Sequence, residues 1–451
     1  MAERHLFPAS IVDELTYCVE GVASGLHLVY TWIFTLEGEV STEAIQKALD
    51  KTLNYYPKCK CILTNNYPSY KRWFRYRWER TEFTSRDILQ EIELPDHDFN
   101  IEEAVDYYVC NHVPLSIDLS SHIPLKVLLI RQPKRSFLFF ILHHAVADGV
   151  GSFSFIRKFI TYYEDIFYQR ETVENQPARF EDISVPEIPF RWDYLAPRRI
   201  RPYLSYNSLF RKEPPVRLYT HKFPGESGTF VAGIRTVSSQ RLEAIGTIAK
   251  KNQATINDYL LATTFQTAKM WSRGWAGQSE RIYVTVPMNL RSPEDCTMSN
   301  ILSSANVSFR ADVIGDKEKL LQLIREEMTA LTKNDIAQTM ANLSCFLKPI
   351  PITLRKLLLK YSIPGFSPTL LLSNLGVLSP NPSHKDEKGF HYLGPARICN
   401  IHLIPNAGTW PDLLVSTYNK QMAVTIAVLS SCFSPEEAER FLNCFVSNLM
   451  E

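Results

Sequence analysis

Apolar runs of strand-like content alternate along the chain with segments whose apolar positions recur at helical spacing. Leu28 to Leu36 is rich in Val, Tyr, Trp, Ile and Phe and reads as a strand, closed by the polar turn Glu37-Gly38-Glu39. Ser41 follows as an N-cap with Glu43 in the first turn. Ile45, Ala48, Leu49, Thr52, Leu53 and Tyr56 then line a helical face that stops at Pro57. Two further apolar runs, Pro124 to Ile130 and Phe137 to Leu142, flank the turn residues Gln132-Pro133-Lys134-Arg135 and predict a hairpin. Beyond it, Phe153, Ile156, Ile160, Tyr163 and Phe167 mark an amphipathic helix.

The later part of the chain has the same flavour. Helices are expected over 241–250, 256–271 and 317–331, and strands over 281–287, 370–372, 413–418 and 422–429. Ser434-Pro435-Glu436-Glu437 is a capping box with Pro at the first helical position, opening a helix to about Met450. Strands and helices alternate without strict βαβ order, so the expected class is an α/β (α+β) sandwich of mixed sheets covered by helices. Eight prolines lie between Pro177 and Pro224, which predicts an irregular crossover. The division is then 1–175, a crossover at 176–225, and 226–451. The basic cluster Arg198, Arg199 and Arg201 inside it reads as a solvated face, with contact to a donor phosphate as the other reading.

Composition narrows the function classes. Of 451 residues, 45% are hydrophobic and 22% charged, as in ordinary soluble proteins. With a net charge of +1, nothing global favours nucleic acid or an acidic membrane surface, and no nucleic-acid partner is expected. Nine scattered cysteines fit free thiols in a reducing, cytoplasmic setting. Cys59-Lys60-Cys61 has no second Cys or His pair nearby, so no metal is expected. Met1 to His5 lead into no apolar run, and no stretch reaches the roughly 18 uncharged apolar residues of a membrane span.

The candidate chemistry stands at the end of the hairpin. His143-His144-Ala145-Val146-Ala147-Asp148-Gly149 is the pattern H-H-x-x-x-D-G, at a strand-to-helix junction. Adjacent strand residues point to opposite faces, so only one histidine lines a cleft. Gly149 reads as the residue that permits a tight turn into the helix. Asp148 either orients an imidazole or braces the loop through an arginine. Three readings compete: a histidine general base, a metal site, and core histidines with satisfied hydrogen bonds. A metal is disfavoured because the side chains diverge and the helical H-x-x-x-H register is absent.

This segment resembles the signature of the coenzyme A-dependent acyltransferase superfamily. That superfamily includes chloramphenicol acetyltransferase, plant BAHD acyltransferases, wax ester synthases, alcohol acetyltransferases and condensation domains of nonribosomal peptide synthetases. Other segments are similar to it: Tyr55-Tyr56-Pro57, Pro124 to Ile130, Ala254 to Ala262, Val286-Pro287-Met288-Asn289-Leu290-Arg291 followed by Asn300, and Ser373-Asn374-Leu375-Gly376. The resemblance implies two chloramphenicol-acetyltransferase-like halves with mixed sheets and a central tunnel. His144 would be the general base, with His143 in support. Asp148 would be structural and paired with Arg291, and Gly149 the turn of the motif. Arg291 and Asn300 would support the site. Ser373 and Asn374 are candidate oxyanion donors, with hydrogen bonding to backbone as the other role for such strand-end residues.

The implied co-substrate is acyl-CoA or an acyl carrier thioester, with no permanently bound cofactor. The acceptor would be a small-molecule alcohol or amine, a separate acyl carrier protein a further partner, and a monomer sufficient. The leading expectation is ester formation by a stand-alone acyltransferase on a secondary-metabolite or lipid-like acceptor. The alternatives are a condensation-type enzyme using a carrier-bound thioester, and a catalytically silent scaffold. The D-F-G-W-G segment of the plant enzymes is absent, and Ser299 stands where many relatives carry glycine.

Overall fold

The computed structural model describes residues 6–20, 26–111, 116–170, 190–218, 228–272, 281–292, 295–380 and 385–449. Strands in the first part of the chain are β1 Leu6–Pro8, β2 Val29–Glu37, β3 Cys61–Thr64, β4 Arg77–Arg80, β5 Leu89–Glu93, β6 Leu125–Arg131 and β7 Ser136–His143. They are followed by β8 Phe230–Val237, β9 Arg281–Asn289, β10 Leu302–Arg310, β11 Leu370–Val377, β12 His391–Leu393, β13 Ala396–Ile404, β14 Asp412–Tyr418 and β15 Gln421–Leu429.

Two six-stranded mixed sheets organise the molecule, in the orders β12-β13-β2-β7-β6-β5 and β10-β9-β11-β14-β15-β8. A small third sheet has the order β1-β4-β3. All eight residues of β7 are buried, which is why Phe137 to Leu142 is a continuous apolar run rather than an alternation. It pairs antiparallel with β6 through the expected hairpin and with β2, where Val29 lies opposite His143. The helix Thr42–Tyr55 takes its N-cap from Ser41, whose side chain accepts from the Ala44 amide. It packs against the helix Gly149–Phe167. The C-terminal capping box at Ser434 is present, on the helix Pro435–Asn448.

The first sheet is not built from one half of the sequence. β13 pairs antiparallel with β2, Ile401 opposite Phe34, so a late segment completes the early sheet. No strand was expected there, nor at β8 or β10. Their side chains are mixed, and pairing with neighbours supplies what local content does not. Two hydrophobic cores result. One joins residues of the early strands to β13, and the other gathers β9, β11, β14 and β15 under the later helices.

The proline-rich segment needs correction where it is described. It contains the helix Pro197–Lys212, with Pro202 inside it. Pro197 begins the helix, where its missing N–H has no intrahelical partner to lose. Arg199 is not on a solvated face either; it pairs with Asp335. Residues 176–189 and 219–225 of the expected crossover lie outside the described residues. Among the described residues, no helix is long and apolar enough to cross a membrane.

Candidate active site

The strand β7 ends at His143, and the two histidines do diverge. His143 is fully buried. Its Nδ1 accepts the Ala145 amide at 3.0 Å, so Nε2 carries the proton and donates to Glu20 at 2.7 Å. Glu20 also accepts the Leu28 amide at 3.1 Å. His143 thus holds the strand end in place and does not line the cavity.

His144 lines a cavity of about 310 Å³ at the seam between the two large sheets. The Tyr30 ring stands edge-on to it, centroids 5.4 Å apart. Its Nδ1 is buried, within no ordinary hydrogen-bond distance of a partner, although the Asn300 side chain stands on that side and favours a proton on the ring. The residue's own carbonyl oxygen stands beside the ring and favours a proton on it. Nε2 is therefore the nitrogen that a molecule in the cavity meets. Burial is the largest influence on the imidazole and pushes its pKa below the usual histidine value, against the charge of Asp148, which raises it. A neutral imidazole at neutral pH is the outcome.

The loop around His144 is held at nearly every carbonyl. Asn300 Nδ2 donates to His144 O at 2.8 Å and Ala145 O at 3.1 Å. Lys58 Nζ donates to Val146 O at 2.8 Å, and the Tyr30 hydroxyl to Ala147 O at 2.9 Å. Lys58 is itself buried and pairs with Asp13 Oδ2 at 2.9 Å, while Asp13 Oδ1 accepts from Asn300 at 3.3 Å. The His144 amide donates to Leu28 O at 2.7 Å. A loop with its carbonyls held in this way, in a low-dielectric setting, is fixed in one geometry.

Asp148 braces the loop rather than the imidazole. It is the N-cap of the helix Gly149–Phe167, accepting the Gly151 amide at 2.8 Å. Arg291 Nη2 lies 3.0 Å from both of its carboxylate oxygens, and the Ile301 amide donates to Oδ2 at 2.9 Å. Arg291 also donates to Ser299 O. Among the described residues, no hydrogen bond joins Asp148 to His144. The reading of Gly149 is corrected: its φ is not positive, and an added Cβ would press only on the flexible end of Leu375, at 3.0 Å. Gly151 is the constrained position, because a Cβ there would lie 2.8 Å from Ser299 O and 2.9 Å from Arg291 Nη2.

Ser373 and Asn374, on β11, both line the cavity. Asn374 is already engaged, its oxygen accepting the Gly376 amide at 2.9 Å and its amide reaching Asn257 at 3.4 Å. The Ser373 hydroxyl has no hydrogen bond among the described residues, which leaves it the freer donor. Sequence reasoning missed Glu20, Asp13, Lys58, Tyr30, Gly151 and Asp412. Only the N-cap role of Asp148, three residues before Gly151, had a local signal. The others converge from distant segments.

A family model of the condensation domain matches residues 17–301. The fold is that of the first condensation domain of the calcium-dependent antibiotic synthetase, solved with a substrate analogue. Identity is 14% and the TM-score 0.69, over 100% of this chain and 96% of that one. TRI3 trichothecene 15-O-acetyltransferase from Fusarium sporotrichioides is similar at 13% identity and a TM-score of 0.73, covering 99% and 95%. The EpoB cyclization-docking bidomain from Sorangium cellulosum matches at 11% and 0.66, covering 99% and 84%. No curated protein matches the chain in sequence.

Proposed function

Because the chain belongs to the condensation-domain family, we propose that it is an acyltransferase in which His144 is the general base. The acyl group moves from a thioester, acyl-CoA, to a hydroxyl of a small-molecule acceptor. The observation that supports this reading is a neutral imidazole whose Nε2 faces a cavity and whose backbone is pinned on both sides. His144 Nε2 takes the proton from the acceptor hydroxyl. The oxygen attacks the thioester carbonyl, and the negative charge forms on the carbonyl oxygen, with Ser373 as donor. Collapse breaks the carbon–sulfur bond, and the imidazolium returns its proton to the thiolate. A positioned base of this kind contributes roughly 10²–10⁴-fold.

A second reading, a donor thioester on a carrier protein and an amine acceptor, is favoured by the condensation-domain match itself. Thiol release decides between them. The protein is offered acyl-CoAs, or the same acyl groups on a carrier's phosphopantetheine arm, with pooled alcohols and amines. Release that depends on both an alcohol and His144, and is lost in His144→Ala, supports the ester-forming reading. Release unchanged in His144→Ala overturns it.

A further inference from the structure

Asp412, the first residue of β14, lines the same cavity as His144. It lies opposite Leu371 of β11 and Ala427 of β15, at the centre of the second sheet. It is 4% exposed, and Oδ1 is buried without a hydrogen-bond partner. No described residue makes a hydrogen bond or ion pair with its carboxyl. Burial alone raises its pKa well above the usual carboxylate range. The other acidic residue of the cavity, Asp148, is consumed by Arg291. A buried carboxyl without a partner is costly and calls for an explanation, and its place in the wall of the cavity supplies one. The exposed surface of the cavity is mostly apolar, from five leucines, two prolines and Val150, although Asn289, Ser304, Ser373, Asn374 and Asn406 also line it.

We propose that Asp412 reads the acceptor: its carboxyl receives a second hydroxyl, distinct from the one acylated, on an otherwise apolar alcohol. The inference rests on the acyl-transfer reading and adds the substrate class, an apolar molecule with at least two hydroxyls. Asp412 takes no proton from the reacting oxygen; it sets which acceptors are held. A protonated carboxyl both donates to and accepts from one hydroxyl, and a site built for that bond rejects an analogue lacking it.

The test uses octanol and a series of octanediols with the second hydroxyl at successive carbons. The wild-type protein is expected to prefer one diol over octanol in kcat/KM by roughly 10²-fold or more. Asp412→Leu abolishes that preference, its kcat/KM on the diol falling to its own value on octanol, whereas Asp412→Asn keeps part of it. Asp412→Leu also raises Tm, since a purely structural carboxyl would lower it on removal. Equal loss on diol and octanol, an unchanged preference, a lowered Tm, or a stronger preference for an amino-octanol overturns the proposal. Binding is read separately on His144→Ala protein. There the preferred diol must raise Tm more than octanol does, and the difference must vanish in His144→Ala/Asp412→Leu; no difference overturns the role of Asp412. Diol binding with no thiol release by the wild-type protein overturns acyl transfer instead, and leaves Asp412 as the reader.

Discussion

Arg291 Nη2 stands 3.0 Å from each carboxylate oxygen of Asp148, and both side chains are almost fully buried. The two residues are 143 positions apart, so the pair locks the loop of His144 to the segment that carries Ser299 and Asn300. Removing one partner leaves a buried charge alone. Asp148→Ala and Arg291→Ala are each expected to lose about 3–5 kcal/mol in chemical unfolding, together with activity. A fully stable Asp148→Ala protein contradicts the bracing role.

Asn300 is a positioning residue for His144. Asn300→Ala releases two carbonyls at once, His144 O and Ala145 O. The imidazole then loses its fixed placement, and kcat is expected to fall by roughly 10²-fold with KM little changed. Steady-state kinetics on both parameters check it; a rise in KM alone would point to substrate binding instead.

Gly151 and Gly149 differ in what surrounds them. Gly151→Ala drives a methyl to 2.8 Å from Ser299 O, which is backbone and cannot swing away. A loss of about 1–3 kcal/mol is expected, with lower activity. Gly149→Ala meets only a leucine methyl and is the milder change. Melting temperatures of the two variants rank them.

Activity should survive moderate acid. The pKa of His144 is depressed by burial, so the base stays unprotonated as pH falls through 6.5. The acid limb of kcat/KM is expected below pH 6.5, where an ordinary histidine would already have lost its function. A limb at or above that value denies the burial.

Stability has a separate acid limit at His402. It lies in β13, buried, with neither ring nitrogen hydrogen bonded, and burial brings its pKa down to about 4. Between pH 6.5 and about 4 the unfolded chain binds a proton that the folded chain does not. The stabilisation is whole above that window and is lost as pH falls through it, by up to about 3 kcal/mol. Urea midpoints measured across the window should show the slope, and His402→Leu should flatten it.

Much of the scaffold is written locally. The uninterrupted apolar run of β7, the hairpin turn at Gln132-Pro133-Lys134-Arg135, the Ser41 cap and the Ser434 capping box are short-range signals. Backbone sterics and nearest neighbours suffice to fix them. The H-H-x-x-x-D-G pattern also carries its own geometry, because a strand sends successive side chains to opposite faces and Asp148 caps the helix that follows. Tertiary structure alone decided the rest. That β13 completes the sheet of β2, that Lys58 and Asn300 hold the carbonyls around His144, and that Asp412 is left without a partner are outcomes of segments meeting from far apart in the chain. No window of sequence contains those pairings, and their energies exist only once water has been excluded from the seam where they meet.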